Sequence, residues 1–422
     1  MNNAKFIQIH TLTSYPGTLL NRDDAGFAKR LPFGGATRTR ISSQCLKYHW
    51  RHNEGEHSLY QPNIPHTVRS RQTFRQLVAQ PLIEEGYPPK LVVCVVNTLK
   101  ELVLSGKPVS DSDHKKILQA DKDLDAVLDS AQVTILGRPE VDYLRQLTAD
   151  TIDPLREELG ILWNDQEAKL TKEQIDLAIH TFKEISEKDL KKNLKGMKMA
   201  TGLDAAMFGR MATSDILARG DAAIHVAHAF TTHAEESESD YFSAIDELVV
   251  SMGEGELGSG HINTNELTSG LFYGYVVVDV PLLISNLEGC KREEWTSADR
   301  TLAADVVERL IHLIATASPG AKLGSTAPYS RSECVLVEVG TSQPRTLANA
   351  FRRAVDKEPD LLENTYRALA KYASELDNMY GTEEERRLSA IGPIKQLIDA
   401  LKVGKTIPLP ETASWAAEYV RG

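Results

Sequence analysis

The sequence is poor in cysteine and has no long apolar run. Its four cysteines are scattered through 422 residues without a CxxC pair, a pattern that suits neither a disulfide framework nor a zinc site. The longest apolar run, residues 271–284, is too short to cross a bilayer and contains Asp279. The first residues, MNNAKF, lack the apolar stretch of a signal peptide. We therefore expect reduced thiols, a cytoplasmic location and no membrane partner.

Motifs typical of catalysis are also missing. The sequence contains no serine elbow and no pair of carboxylates with a positioned base. A GxGxxG pattern at residues 253–258 carries two glutamates, which would repel a pyrophosphate, and no helical stretch follows it. His225, His228 and His233 have no carboxylate or thiolate at ligand spacing, so we expect them to make structural contacts. The prediction is a protein that is not an enzyme and that uses no metal or cofactor.

Positive charge is scarce overall, because the formal net charge is −11, which argues against a uniformly basic nucleic-acid binder. Residues 22–75 are the exception. They hold ten Lys or Arg against four Asp or Glu, a net charge of +6, which leaves −17 for the remainder. A basic strip on an acidic body can bind a polyanion along one face.

One stretch within this segment, residues 33–51, combines a Gly34-Gly35 turn, spaced cations and a helix start with two hydroxyls. We expect Ser43 to cap that helix, and the unpaired N–H groups at its positive end to bind a phosphate. Charge alone leaves a second interpretation open, an ordinary solvated basic helix face.

Methionine is concentrated in residues 196–211, which contain four of the seven methionines. Methionine is polarizable and can pack against aromatic rings, including bases. Gly209 would allow a turn that presents Arg210 beside an apolar wedge, Met211. Because Met207 and Met211 are four residues apart, packing in the core is the alternative.

Hydrophobic periodicity predicts strands at 5–13, 221–230, 271–280 and 334–340, and helices at 43–52 and 297–317. Residues 54–70 are predicted to be a loop, 71–199 mostly helical, and the chain from 346 onward helical. About 40 residues separate the strands at 221–230 and 271–280, and they include a predicted helix at 240–250. A projection from the sheet explains them most simply. The element order is that of a ferredoxin-like fold in the α+β class.

Seven motifs, in order, resemble those of the CasC family, the backbone subunits of the type I-E CRISPR surveillance complex, Cascade. The motifs are 20–24 (LNRDD), 33–35 (FGG), 38–44 with 46–47 (RTRISSQ, LK), 209–214 (GRMATS), 227–233 (AHAFTTH), 240–246 (DYFSAID) and 269–270 (SG). The resemblance implies an RRM-like palm with a helical fingers insertion and a projecting thumb. The boundaries that follow are 1–53, 201–230 and 270–422 for the palm with its C-terminal helices, 54–200 for the fingers and 231–269 for the thumb.

The resemblance also implies a function in antiviral defence. Several copies would stack along one CRISPR guide RNA, and each thumb would displace a base, which leaves the intervening bases free to pair with target DNA. The partners would be the guide RNA, target DNA, neighbouring copies of the chain and other Cascade subunits. Met211 and Phe242 match the family's base-packing positions in fingers and thumb. The predicted RNA-binding residues are Arg22, Arg38, Arg40, Ser42, Gln44, Lys47, Arg51, Arg210, Met211 and Phe242.

Two other functions stay open. One is a metal-dependent endoribonuclease, because backbone subunits of other CRISPR types cut target RNA with a loop aspartate, for which Asp23 and Asp24 are the nearest candidates. The other is a monomeric RRM-type protein that binds single-stranded RNA.

Overall fold

The structure is a computed structural model that describes most of the chain. The described residues are 4–61, 64–106, 124–155, 158, 171–186, 190–196, 201–210, 216–217, 220–245, 259–321, 324–381 and 384–422. Internal contacts divide the chain into two compact units. Unit 1 comprises Met1–Tyr60, Ile224–Pro281 and Trp295–Gly422, and unit 2 comprises Gln61–Ala223 and Leu282–Glu294.

Strands and helices both occur along the chain, and every strand pair given below is antiparallel. The strands are β1 (Phe6–Thr18), β2 (Arg30–Phe33), β3 (Ala36–Ile41), β4 (Thr67–Ser70), β5 (Thr134–Gly137), β6 (Ile224–Val226), β7 (Ala229–Thr231), β8 (Ser237–Ile245), β9 (Ser259–Asp279), β10 (Cys334–Gly340) and β11 (Glu385–Ala390). The helices are α1 (Ser43–Arg51), α2 (Gln80–Glu84), α3 (Pro89–Ser105), α4 (Leu124–Leu128), α5 (Arg138–Ile152), α6 (Lys172–Ser186), α7 (Leu190–Gly196), α8 (Leu203–Phe208), α9 (Val280–Glu288), α10 (Thr301–Thr316), α11 (Leu361–Tyr380), α12 (Lys395–Leu401) and α13 (Leu409–Arg421). A π-helical turn (Phe74–Ala79) precedes α2, and a short 3₁₀ segment (Ala348–Phe351) precedes α11.

Unit 1 is built on one antiparallel sheet with the order β11-β10-β1-β9-β7-β3-β2, to which β6 and β8 add by pairing with β9. The central strand β1 pairs Ile9 with Val337 of β10 and with Val276 of β9. The elements β1, α1, β7, β9, α10 and β10 follow one another in ferredoxin-like order, and their strands lie in the matching spatial order. The predicted α+β, ferredoxin-like fold class is confirmed.

Both faces of this sheet are covered, which is why β1 does not alternate between apolar and polar residues. Residues 7–13 of β1 are all buried. Leu12 and Tyr273 pack on one face with Phe351 and with Tyr366 of α11. On the other face, a smaller cluster joins Tyr15 and Phe272 to Ile41 and Ala229, and α10 packs against β1, α1 and α13.

A cluster of buried charges lies at the β1–β10–β11 side of the sheet. The Glu338 side chain is fully buried and accepts hydrogen bonds from Arg345 Nη1 (2.7 Å), Arg386 Nε (2.7 Å) and His10 Nε2 (3.1 Å). Arg386 also donates to Asp377 of α11 (2.6 and 2.8 Å). Burial alone would raise the pKa of Glu338, but the hydrogen bonds and positive charges of its partners lower it well below its ordinary value. The cluster therefore ties three strands to α11 through one ionised carboxylate.

Unit 2 is mostly helical in its described part, as predicted. Its core gathers Phe74, Val95, Leu144, Ile152 and Phe182 from the π-helical turn, α3, α5 and α6. The run VVCVV in α3 is buried on all sides because neighbouring helices surround it. A small antiparallel sheet joins β4 to β5, so the loop predicted at 54–70 is wrong for residues 67–70 and the helical prediction is wrong for residues 134–137.

Several predicted boundaries differ from the structure, and the differences share a cause. The helix predicted at 240–250 is wrong for residues 240–245, which form β8 and pair with β9; residues 246–250 lie outside the described part. The predicted strand 221–230 is split into β6 and β7, and β2, β3 and β11 were not predicted. These strands are short, and strand propensity depends on cross-strand neighbours that the local sequence does not reveal. The palm, fingers and thumb boundaries stay predictions.

None of the helices in the described ranges combines the length and apolarity needed to cross a membrane.

The Glu338 cluster predicts a strong and specific effect on stability. Glu338→Gln removes the negative charge and leaves the buried Arg386 and the half-buried Arg345 facing an uncharged amide, which should lower the free energy of unfolding by about 3 kcal/mol. Because the folded-state pKa of Glu338 is depressed, its contribution is present at neutral pH and is lost as the pH falls below the unfolded value of about 4.3. Denaturant unfolding between pH 7 and pH 3 measures both effects.

Glu375→Gln is the matched control, because Glu375 lies on α11 with its side chain 63% exposed. It should change stability by no more than about 0.5 kcal/mol. Equal effects of the two substitutions would contradict this account of the buried cluster.

Candidate functional site

The glycine pair at positions 34 and 35 forms the two-residue turn of the β2–β3 hairpin. Phe33 pairs with Ala36 across it, and both glycines have positive φ, 62° and 82°. Such a turn favours glycine because a Cβ is strained at these angles. A Cβ on Gly34 would also lie 1.4 Å from the carbonyl oxygen of Arg352. The hairpin therefore needs glycine here for its own geometry and for a close approach to another segment of unit 1.

Arg38, on β3, is fully buried. Its Nη1 donates to the carbonyl oxygens of Thr231 (3.0 Å), Thr232 (2.7 Å) and His233 (3.3 Å), and its Nη2 donates to that of Phe351 (3.0 Å). Burial lowers the pKa of this guanidinium. A direct contact between Arg38 and a phosphate would require it to give up these hydrogen bonds. In this structure Arg38 is a buried side chain that joins β3 to the backbone of other segments of unit 1.

The N-terminus of α1 is already capped from within the protein. The Ser42 Oγ accepts from the Cys45 N–H (3.2 Å), the Ser42 N–H donates to Asn21 Oδ1 (2.9 Å), and the Ser43 N–H donates to His228 Nδ1 (2.8 Å). The cap is therefore Ser42, one residue before the predicted one. The prediction that unpaired N–H groups bind a phosphate is wrong for residues 42, 43 and 45. Asn21 and His228 are distant in sequence, so the motif itself could not reveal them.

Accessible polar side chains surround this helix start. Arg22 and Gln44 are exposed, whereas Arg40 and Lys47 are half-buried. Backbone hydrogen bonds hold their segments together, because the Lys29 N–H donates to the Asn21 oxygen (2.9 Å) and the Arg40 N–H donates to the Lys29 oxygen (2.7 Å). The structure thus brings these four predicted residues to one part of unit 1.

Arg51, at the end of α1, is only 7% exposed. Ser42, which supplies the cap, is equally buried. Both residues lie within the same region of unit 1 as the accessible cations, but most of their surface is covered by the protein.

The loop between β1 and β2 is organised by Asp23. Its Oδ1 accepts hydrogen bonds from the N–H groups of Ala25 (2.9 Å) and Phe27 (3.0 Å), while Asp24 is exposed. This is an Asx-type turn, in which the carboxylate stabilises the loop. Within the described ranges, no three His, Cys, Asp or Glu side chains are grouped so that they could hold a metal ion.

The long ribbon of β8 and β9 is joined to the β2–β3 hairpin by charged contacts. Arg30 pairs with both Glu235 and Glu266, and the Ala28 N–H donates to Glu266 Oε2 (2.6 Å). The positive charge of Arg30 is therefore neutralised internally. Along the ribbon, Phe242 pairs with Asn263 and its neighbour Tyr241 is 64% exposed. The side chain of Phe242 lies outside the described part of the structure.

The predicted residues of the GRM motif belong to unit 2. Arg210 is buried and its Nη1 donates to Glu140 Oε2 (2.5 Å), which also accepts from the Gly137 N–H (2.9 Å). Arg210 thus neutralises a carboxylate at the N-terminus of α5. Met207 is fully buried, so the core-packing interpretation is confirmed for it. Met211 lies outside the described residues.

Two of the three histidines make structural contacts, as predicted. His233 is buried, with Nδ1 donating to the Ala234 oxygen (2.7 Å) and Nε2 accepting from the Leu271 N–H (3.2 Å). His228 accepts from the Ser43 N–H, as described above. The contact partner of His228 and the contact made by Asn21 were not predicted, because both are visible only when α1 meets the sheet.

Comparisons with known proteins agree with this architecture. The sequence model of the CT1975-like protein family matches residues 7–415. A structure described as a CRISPR RNA-guided surveillance complex, pre-nicking, has a TM-score of 0.72 at 22% identity and aligns over 98% of this chain and 100% of its own. Another, described as a CRISPR RNA-guided surveillance complex, has a TM-score of 0.63 at 19% identity and aligns over 98% of this chain and 99% of its own. At these identities the likeness shows a shared fold. No match was found among curated proteins.

The contacts of Arg38 predict that its substitution acts on stability. Arg38→Ala leaves several buried carbonyl oxygens without their donor and should lower the free energy of unfolding by about 3 kcal/mol. Arg38→Lys should restore little of this, because an ammonium cannot span the carbonyls that the planar guanidinium joins. Thermal and denaturant unfolding of the purified chain measure the loss.

Arg40→Ala is the control on the same strand, since Arg40 is half-buried and its Nε donates to a single backbone oxygen, that of Arg30 (3.2 Å). It should cost no more than about 1 kcal/mol. If Arg38→Ala were as stable as Arg40→Ala, the structural role assigned to Arg38 would be wrong.

His228 predicts a pH dependence at the start of α1. Because its Nδ1 accepts from the Ser43 N–H, that nitrogen must be unprotonated. Burial lowers the pKa of His228, and the nearby charges of Arg40 and Lys29 lower it further. The unfolded value is about 6.5, so the contribution to stability is present above that pH and is lost as the pH falls below it.

The measurement compares wild type with His228→Asn, which keeps an acceptor near the same position but does not titrate. Between pH 7.5 and 5.5 the wild type should lose more stability than the variant. Other histidines titrate in both proteins, so the difference reports His228. Identical pH profiles would rule out this role.

Proposed function

This chain belongs to the CT1975-like protein family, and we propose that it is the guide-RNA-binding backbone subunit of a CRISPR surveillance complex, of the CasC kind found in type I-E Cascade. In this proposal several copies assemble along one CRISPR RNA in the cytoplasm. They hold the guide so that its bases can pair with target DNA, and they join other subunits of the complex.

The single observation that carries the proposal is the group of accessible side chains around the start of α1. Arg22, Arg40, Gln44 and Lys47 lie together in unit 1 of a chain whose net charge is −11. Their backbone segments are joined by hydrogen bonds, and Arg38 fixes the strand beneath them. Two of these segments, β3 and the 19–22 segment, are thus ordered before any ligand arrives.

The chemistry of this group suits a phosphate backbone better than base recognition. Arginine and lysine neutralise phosphates, and an exposed amide can reach a phosphate or sugar oxygen. In RNA-guided complexes base pairing reads the target sequence, so the protein needs only to hold the guide. Under the proposal, Arg22, Arg40, Gln44 and Lys47 contact the backbone directly, while Ser42, Arg38 and Arg51 act mainly by supporting them.

The β8–β9 ribbon supports the proposed thumb. In this ribbon, β9 continues well beyond the residues that pair with β1 and pairs with β8 instead. The ribbon carries an exposed aromatic side chain, Tyr241, next to Phe242. Aromatic side chains at such a position stack on bases without regard to sequence. We assign Met211 and Phe242 to base contacts and Arg210 to the support of unit 2, because its guanidinium is paired with Glu140.

The proposal gives the chain no catalytic step. The Asp23 carboxylate is engaged by two backbone N–H groups of its own loop. A structural role for Asp23 therefore accounts for its contacts, and the endoribonuclease alternative has no observation in its favour. The monomeric RNA-binding alternative shares the same surface and differs in assembly.

The salt dependence of RNA binding tests the proposal. Arg22→Ala combined with Lys47→Ala removes two cations, so the slope of log affinity against log salt should become shallower by about 1.4 for single-stranded RNA. The affinity at low salt should fall by about tenfold or more. Fluorescence anisotropy with a uniform-length RNA, over a range of salt concentrations, measures both.

Lys371→Ala combined with Lys405→Ala is the matched control. It removes the same charge from two exposed positions of unit 1 outside the candidate site, and it should leave the slope unchanged. If the first variant keeps the wild-type slope, the assignment of these residues is wrong. Purification of the assembled particle separates the alternatives: a large particle with RNA of uniform length supports the proposal, and a monomer with RNA of mixed length supports the monomeric binder.

A further inference from the structure

The described residues between α10 and β10, 317–321 and 324–333, belong to a surface loop. The Ser318 Oγ donates to the Ser330 oxygen (2.8 Å) and accepts from the Ser330 N–H (3.1 Å), so the two ends are joined through one hydroxyl. A compact loop whose ends meet in this way is an Ω-loop, a type that often carries function. None of the sequence motifs discussed above falls within it.

Tyr329 is held at the surface of this loop. Its side chain is 82% exposed, more than any other large apolar or aromatic residue among those described as exposed. Its N–H donates to the oxygen of Ala327 (2.8 Å), a non-glycine residue with φ of 48°. A Cβ on Gly324 would lie 3.4 Å from the Tyr329 hydroxyl, so the phenol lies close over that glycine. The ring is exposed, but its contacts with the loop restrict its motion. It would therefore lose less conformational entropy on binding than an unrestricted side chain.

The loop is tied directly to the candidate site. The Ala321 N–H donates to the Leu19 oxygen (3.0 Å), and the Leu19 N–H donates to Thr326 Oγ1 (3.4 Å). Leu19 begins the short segment that contains Asn21, which binds the start of α1, and Arg22. The Ω-loop therefore flanks the same segment that carries the accessible cations.

The charge of the loop differs from that of the whole chain. Residues 317–333 contain Lys322 and Arg331 against one acid, Glu333, in a protein with a net charge of −11. Arg331 is exposed, two residues from Tyr329. An exposed aromatic ring two residues from an exposed arginine suits a single-stranded polyanion that bears bases, because the ring can stack on a base and the cation can contact the backbone.

We propose that Tyr329 stacks on an unpaired base of the guide RNA, and that Arg331 contacts the adjoining backbone. This inference rests on the proposed function and adds a base contact that lies on neither the thumb nor the fingers. The hydrogen bonds between Ser318 and Ser330 stabilise the Ω-loop. The loop presents the Tyr329 ring next to the RNA strand that Arg22 and Lys47 bind.

The test uses the full-length chain and a fluorescent single-stranded RNA of uniform length. Tyr329→Ala should raise Kd by about tenfold, whereas Tyr329→Phe, which keeps the ring, should stay within about twofold of wild type. Because stacking releases no counterions, Tyr329→Ala should leave the salt slope unchanged. An RNA that carries abasic sites should bind wild type and Tyr329→Ala with nearly equal affinity.

Tyr380→Ala is the matched control. Tyr380 is 72% exposed at the end of α11, near Asp377, Glu384 and Glu385, and its loss should not change RNA affinity. Thermal unfolding should show both alanine variants to be as stable as wild type, because neither ring is buried.

Each other outcome overturns the inference in a distinguishable way. If wild type binds RNA and Tyr329→Ala binds it equally well, the stacking role is wrong and the proposed function stands. If Tyr329→Ala keeps its RNA affinity but the purified particle loses a subunit, the loop is a protein contact. If wild type does not bind single-stranded RNA at all, the proposed function and this inference fail together.

Discussion

The hydrogen bonds of one buried guanidinium hold together the parts of unit 1 that form the candidate site. Arg38 connects β3 to the turn at residues 231–233, from which the β8–β9 ribbon departs, and to the 3₁₀ segment that packs on the sheet. The contact between Gly34 and Arg352 brings the same hairpin and the same segment together a second time. The guanidinium of Arg38 is hydrogen-bonded to backbone carbonyl oxygens and not to a carboxylate. Because these oxygens belong to segments far apart in the sequence, the hydrogen bonds form only when those segments have folded together.

Because of this arrangement, the net charge of a segment differs from the charge that the segment presents at the protein surface. Residues 22–75 carry a net charge of +6, but Arg30 is neutralised by two glutamates and Arg38 is enclosed by carbonyl groups. In unit 2, Arg210 is likewise paired with Glu140. The accessible cations are fewer than the sequence indicates, and one of them, Arg40, lies on the strand that Arg38 holds. A basic segment can therefore contribute to binding indirectly, because some of its members fix the geometry of the others.

The sequence predicted the long strands and helices and the type of candidate site more accurately than the short strands and the contacts within the site. Strands β1 and β10, the second half of β9 and helices α1 and α10 have apolar patterns long enough to recognise, and these were predicted. The β2–β3 hairpin, β11 and the strand at 237–245 depend on partners far along the chain, which no local pattern contains. Within the site, residue type predicted Arg22 and Lys47 as accessible cations. It could not distinguish them from Arg38 and Arg210, because burial is a property of the packed fold.

Hydrogen bonds, some of them to distant partners, also hold the loops of the site in place. At the start of α1, Asn21 and His228 accept hydrogen bonds from the Ser42 and Ser43 N–H groups. Asp23 stabilises the β1–β2 loop, and Ser318 with Ser330 closes the Ω-loop. A flexible surface would lose conformational entropy at every contact with a strand, and this loss would recur in every copy along the RNA. Ordering the loops during folding avoids it, so each copy needs only a few modest contacts. Under the proposed function, in which the subunit repeats along one guide, the multiplicity of copies would supply the affinity, and no single contact would have to be strong.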